Sequence, residues 1–246
     1  MKPAPPSPAL EFASWIVWED EWLVAVDKPA GVLSQGGEGG AGRNLVDLAR
    51  AHYGLPAMGV LHRIDRNVSG VVLLAKDPRA ARGLSEMMGT DAIERVYVAV
   101  VLGSPEREAF DIDASLVKDA RVNEVTAFAD PSAAPPGLRE LLKLARTSVA
   151  VTRRFRAPIG ECAVLDVRPR TGRSHQIRAH LKFARLPILG DPKYGVAVDG
   201  LRRPLLHAGR VGFTHPMTQQ AVECVASVPW ADGTLVKMRA LRLRRR

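Results

Sequence analysis

Leu61-His62-Arg63-Ile64-Asp65-Arg66-Asn67-Val68-Ser69-Gly70 is the stretch around which the chain is organised. It joins an apolar run starting at Gly59 to a second one, Gly70 to Leu74, through a short polar segment that ends in a Ser-Gly turn. That segment sets one carboxylate, Asp65, between the guanidiniums of Arg63 and Arg66. Arginine neighbours hold an aspartate ionised, the state that a nucleophile or electrostatic catalyst needs. A structural ion pair at a strand end is the other reading of the same residues.

On the N-terminal side, Trp15 to Trp18 and Trp22 to Val26 are β-branched and aromatic runs parted by Glu19-Asp20-Glu21, so two strands are expected around a polar turn. Gly36 to Gly42 is glycine-rich and leads into a helix from about Leu45 to His52. It has no following Gly-Lys-Ser or Gly-Lys-Thr and carries an acid, so a flexible connector is expected rather than a phosphate loop. On the C-terminal side a helix is predicted from Pro78 to about Met88, with proline in its first turn, then a strand from Val96 to Leu102. Ser104 to Leu141 has mixed polarity and a Pro131 to Pro136 turn cluster, and gives no clear reading. Strands are predicted again at Thr147 to Phe155, Ala163 to Arg168 and Ala221 to Val228, with a helix from an N-cap at Ser174 to about Phe183. Strands outnumber helices and do not alternate regularly with them, which predicts an α+β fold. The simplest organisation is one domain over 15–238, behind a flexible proline-rich lead (1–14) and before a basic tail (239–246).

Composition narrows the partners. The 246 residues carry 35 Lys plus Arg against 26 Asp plus Glu, a formal charge of +9. The positive potential favours a polyanion, although a basic protein that binds no nucleic acid fits the charge equally well. Cys162 and Cys224 match no zinc or redox spacing and read as small core residues of a reduced, cytosolic protein. The N-terminal residues lack the apolar core of a secretory signal, and no apolar run is long enough to span a membrane, so a soluble cytoplasmic protein is expected.

A second constellation is Arg168-Pro169-Arg170-Thr171-Gly172-Arg173-Ser174-His175-Gln176-Ile177-Arg178-Ala179-His180-Leu181. With a helix beginning after Ser174, His175, Arg178 and Lys182 fall on one face and Ile177, Leu181 and Ala184 on another. Arg178 is then expected to reach out from a helix packed on the sheet, and Arg168, Arg170 and Arg173 to offer cations to phosphates. A solvated basic face is the alternative.

The first segment resembles the His-Arg-Leu-Asp-x-x-Thr-Ser-Gly signature of RluA-type RNA pseudouridine synthases, and the second resembles their Arg-x-Gly-Arg-x-His-Gln-Ile-Arg-x-His signature. Val26 to Gly31, Arg95 to Val100, Pro187 to Gly195, Leu206-His207-Ala208 and Thr214-His215-Pro216 extend the likeness over roughly Trp15 to Val228. The resemblance implies a pseudouridine synthase fold, a mixed and mostly antiparallel sheet flanked by helices with a central active-site cleft. It implies isomerisation of uridine in structured ribosomal or transfer RNA without cofactor or metal; a monomer is expected, with the catalytic domain itself recognising the RNA. It makes Asp65 the catalytic aspartate, Tyr97 the tyrosine packed on the target base, and Arg178 the arginine paired with that aspartate. Arg63 resembles the side chain that fills the gap left by the flipped nucleotide, and Arg66, Arg168, Arg170, Arg173 and His175 join it as RNA-binding candidates. Val68 stands where the family has threonine, losing a hydroxyl that could hold the loop, and Arg95 stands where lysine is commoner.

Two other functions fit parts of the sequence. A metal-dependent nuclease would use some of the six histidines, but His175 and His180 lie five apart and fit no ligand pair. A non-catalytic RNA-binding or ribosome-assembly protein would keep the fold without needing Asp65, Tyr97 and Arg178 together.

Overall fold

The computed structural model describes residues 8–36, 44–88 and 90–230. In chain order these form helix α1 (Pro8–Ala13), strands β1 (Ile16–Glu19) and β2 (Leu23–Lys28), helix α2 (Leu45–Tyr53), strands β3 (Gly59–Val60) and β4 (Ser69–Ala75), and helix α3 (Pro78–Met87). Strands β5 (Ile93–Leu102), β6 (Ala109–Asp119) and β7 (Glu124–Phe128) follow, then 3-10 turns at Pro131–Ala133 and Pro136–Leu141. Strands β8 (Lys143–Ala157) and β9 (Gly160–Pro169), helix α4 (Gln176–Phe183), and strands β10 (Leu206–Thr214) and β11 (Ala221–Val225) complete the order. The expected α+β class is observed. The described residues divide into two compact units, one of 8–36, 44–88, 92–94 and 208–227 and the other of 90–91, 95–207 and 228–230.

In the first unit, β2 pairs antiparallel with β1 on one side and β4 on the other, and β3 also pairs with β4. Every residue of β4 is buried. Leu23, Ala25, Val71 and Leu73 project into one core with Ala80 and Leu84 of α3 and Val211 and Phe213 of β10. Each such leucine contributes about 1.5–3 kcal/mol of burial. Asp77 starts α3 by accepting the Arg79 and Ala80 N–H groups, and Pro78 supplies the preset first turn. The lead expected to be flexible through residue 14 is instead helical from Pro8. Phe12 is fully buried and packs on the rings of Trp15, His52 and Tyr53, so apolar burial overrides the helix-breaking composition before it.

In the second unit β5, β9, β8, β6 and β7 form an antiparallel path in that order. The stretch from Ser104 to Leu141, unreadable from sequence, holds the β6–β7 hairpin and the two 3-10 turns. Helix α4 lays Ala179 against Leu116, Val125, Ala145 and Tyr194. It begins later than expected. Ser174 is not its cap; His175 holds that position in the left-handed conformation, φ 51°, without a side-chain cap bond. Strand β11 likewise stops at Val225, short of Val228. The first seven residues of the lead, the glycine-rich residues 37–42 and the basic tail 239–246 lie outside the described residues.

Candidate active site

Asp65 lies on the connection between β3 and β4, and both of its neighbours are pinned through the backbone. The Ser34 hydroxyl donates to the Ile64 carbonyl at 2.9 Å and accepts the Ile64 N–H at 3.2 Å. On the other side, the Arg66 carbonyl accepts the Gly31 N–H at 2.7 Å and the Lys28 ammonium at 3.3 Å. Lys28 is fully buried, and its Nζ also donates to the carbonyls of Pro29 and Val32 at 2.9 and 2.8 Å. A buried ammonium is tolerated only with such partners. The Val68 N–H closes the turn on the Asp65 carbonyl at 3.0 Å.

Around this turn the side chains alternate. His62, Ile64 and Val68 are buried, Asp65 is half-buried, and Arg63 and Arg66 are exposed, with Arg66 donating from Nε to the Gly31 carbonyl at 2.9 Å. Val68 is 2% exposed, so the departure from threonine trades a hydroxyl for core packing. The Ser-Gly pair is no turn: it opens β4.

In the second unit Tyr97 is buried on β5, opposite Val167 of β9. Two residues earlier, Arg95 donates from Nη2 to the Pro169 carbonyl at 3.3 Å, tying β5 to the end of β9 where the basic loop starts. Arg178 extends from α4 to a buried carboxylate. It is 8% exposed and forks onto Asp191, Nε to Oδ2 at 2.7 Å and Nη2 to Oδ1 at 2.8 Å. Asp191 is fully buried and also accepts the N–H groups of Lys193 and Tyr194. Burial opposes its ionisation, but the guanidinium and the two backbone donors outweigh it and hold the carboxyl below its ordinary range.

The expected shared face of His175, Arg178 and Lys182 is present, and Tyr194 occupies it. Its ring lies 4.8 Å from the Arg178 guanidinium carbon and 5.9 Å from the Lys182 ammonium. Its hydroxyl accepts the Val125 N–H at 2.8 Å and lies 2.7 Å from His175 Nδ1. His180 points elsewhere, with Nδ1 2.9 Å from the Thr147 hydroxyl, and burial lowers its pKa to about 4. The two histidines therefore serve different partners, and among the described residues no group of three or more His, Cys, Asp or Glu side chains is placed to hold a metal.

Residues 22–183 match the sequence profile of the RNA pseudouridylate synthases. The chain belongs to this family. It is 30% identical over 250 residues to ribosomal large subunit pseudouridine synthase C of Vibrio cholerae, covering 97% of this chain and 75% of the relative. It is also 30% identical over 224 residues to tRNA pseudouridine synthase C of Haemophilus ducreyi, covering 84% of this chain and 88% of the relative. Human RNA pseudouridylate synthase domain containing 4 shares the fold, with a TM-score of 0.72 at 21% identity over 96% of this chain and 97% of that one. The RluA-type resemblance and the RNA pseudouridine synthase activity it implied therefore hold. The comparisons give the non-catalytic alternative no support.

The synthase's sequence alone did not reveal the parts that hold its cations and its carboxylate turn. Asp191 and Tyr194 lie inside the matched stretch Pro187 to Gly195, where an acid amid apolar residues and two glycines was the available signal. A Cβ on Gly195 would stand 1.9 Å from the Ile188 carbonyl oxygen. Ser34 carried no signal, because its partner is 30 residues away. Among the described residues no helix of the synthase is long and apolar enough to cross a membrane.

Proposed function

We propose that this synthase isomerises uridine in a folded stem-loop of ribosomal or transfer RNA, in the cytoplasm and as a monomer, with Asp65, Tyr97 and Arg178 carrying the chemistry over a catalytic domain of 15–238. Asp65 attacks, or stabilises charge on, the sugar or the base while the N-glycosidic bond breaks. The uracil then turns, its C5 bonds to ribose C1′ as any bond from Asp65 is released, and the C5 proton leaves while N1 takes one up. Tyr97 offers a flat face to the base and a hydroxyl able to move a proton. Arg178 supplies a positive charge with little freedom to reorganise, since Asp191 and Tyr194 fix it. Arg63 fills the space vacated by the flipped nucleotide. Arg66, Arg168, Arg170, Arg173 and His175 contact the RNA, mostly at phosphates.

The observation that carries this reading is the double backbone clamp on Asp65, from Ser34 at Ile64 and from Lys28 and Gly31 at Arg66. A surface ion pair needs no such rigidity, whereas a reacting carboxylate does.

Carbodiimide labelling and reverse transcription of total RNA from cells with the intact gene, a deletion and Asp65→Ala provide the test. Loss of the same one or few pseudouridines in the deletion and in Asp65→Ala is the expected result. Survival of every pseudouridine in both, with purified protein binding RNA and leaving uridine unchanged, would sink it.

A further inference from the structure

Gln176 opens α4 and is buried. All four hydrogen-bonding positions of its amide are filled. Oε1 accepts the Thr171 hydroxyl at 2.7 Å and the Arg173 N–H at 3.0 Å, while Nε2 donates to the Arg146 carbonyl at 2.9 Å and the Thr147 hydroxyl at 3.0 Å. The amide cannot be reversed, because its NH2 would then face the Arg173 N–H, donor against donor. Thr171 adds a second stitch by accepting the Arg146 N–H at 3.2 Å, and the Arg170 N–H donates to the Arg146 carbonyl at 2.9 Å. The turn 170–173 is thus sewn to β8 by one side-chain amide and one hydroxyl.

Two exposed guanidiniums leave this turn, and each is steadied on its Nε edge. Arg173 Nε donates to the Leu144 carbonyl at 3.3 Å, and Arg170 Nε donates to the Ser148 hydroxyl at 3.3 Å. The remaining contact of Arg170 is a 3.6 Å approach to Asp91, whose side chain is 89% exposed, and solvent screens such a pair heavily. Both arginines therefore keep amino groups available to an anion, at a spacing set by a rigid turn.

We propose that Gln176 and Thr171 are positioning residues that preorganise Arg170 and Arg173 as a clamp for RNA phosphates. This rests on the reading above that the basic loop binds RNA, and it assigns the parts that give the loop its geometry. Cations already held in place lose little freedom on binding, and that saving appears in affinity. A clamp acting on phosphates also appears in the salt dependence of binding, because each phosphate contact releases counterions.

The experiment measures dissociation constants for a stem-loop RNA across a salt series, and steady-state kcat and KM, for Thr171→Val, Thr171→Ser, Gln176→Leu and the double variant Arg170→Ala/Arg173→Ala. The double variant is expected to flatten the logarithmic salt slope by about two. Thr171→Val and Gln176→Leu are expected to weaken binding roughly tenfold and flatten the slope, with the loss falling on KM rather than kcat. Thr171→Ser, which keeps the hydroxyl, should bind as the wild type does. A merely structural role lowers the melting temperature and the active fraction but leaves the slope of the folded protein unchanged. If Gln176→Leu does not fold, the half-buried Thr171→Val carries the test. Wild-type affinity and slope in Thr171→Val, beside a weakened arginine double variant, overturn the clamp. Wild-type binding by the arginine double variant overturns the RNA-loop reading itself.

Discussion

Gly70 sits at φ +117°, and a Cβ there would stand 2.2 Å from the Ala208 carbonyl oxygen and 2.5 Å from its nitrogen. Neither atom can retreat, since both belong to the backbone of a strand beside β4. Gly70→Ala is expected to lower stability by at least about 2 kcal/mol, from a disfavoured φ plus a backbone clash, as read by thermal or urea unfolding. Asp191 tests the opposite kind of constraint, a charge that cannot be left alone. Asp191→Asn keeps the shape but removes the carboxylate charge that faces the buried Arg178 guanidinium, so a loss of about 3 kcal/mol is expected. The sign with pH follows from the lowered carboxyl pKa. The unfolded state binds the proton first, so the contribution of Asp191 is present above the ordinary carboxylate pKa and is lost as pH falls through the folded value. Denaturant unfolding from roughly pH 6 to 3, which brackets an ordinary carboxylate pKa, should show a shallower acid loss in Asp191→Asn than in the wild type.

At the scale of elements, α4 is joined to β8 by Thr147, whose buried hydroxyl meets both Gln176 Nε2 and His180 Nδ1. Thr147→Val removes one of the two acceptors of Gln176 Nε2 and the hydroxyl partner of His180 Nδ1, and should cost roughly 1–3 kcal/mol, with urea midpoints as the readout. His180 adds a pH signature of its own. Burial lowers its pKa from 6.5 to about 4, so between those values the unfolded state binds more protons and stability falls as pH drops. His180→Asn should flatten that part of the profile even if it lowers the plateau. These elements also mark how far the sequence could be read. Helix α3 was legible because Pro78 announces its start locally. The start of α4 was misplaced because a left-handed His175 leaves no compositional trace. Strands β6 and β7 were unreadable because β6 is paired on both sides yet exposes much of its surface, which blurs its alternation. Among the candidate residues, Asp65, Tyr97 and Arg178 were named through motif likeness, whereas Asp191 and Ser34 act on partners 13 and 30 residues away and could be seen only in three dimensions.

For the whole molecule, a formal charge of +9 and a single proposed reacting carboxylate separate binding from turnover. RNA association should be driven by phosphate neutralisation and fall steeply with salt, whatever happens at Asp65. Asp65→Asn preserves shape, removes one negative charge and abolishes the nucleophile. The expected outcome is RNA affinity equal to or slightly above wild type, an unchanged salt slope, and pseudouridine formation reduced on the order of a thousandfold or more. Proton release from C5-tritiated uridine in a stem-loop RNA measures turnover, and the salt series measures binding on the same preparation. A parallel fall in both would mean that Asp65 shapes the binding surface, and the clamped turn would then be a structural device. Retained turnover with asparagine would remove the carboxylate from the mechanism altogether. Loss of turnover alone is the pattern required by a carboxylate held by its backbone neighbours for chemistry, on a protein whose grip on RNA lies in its distributed positive charge.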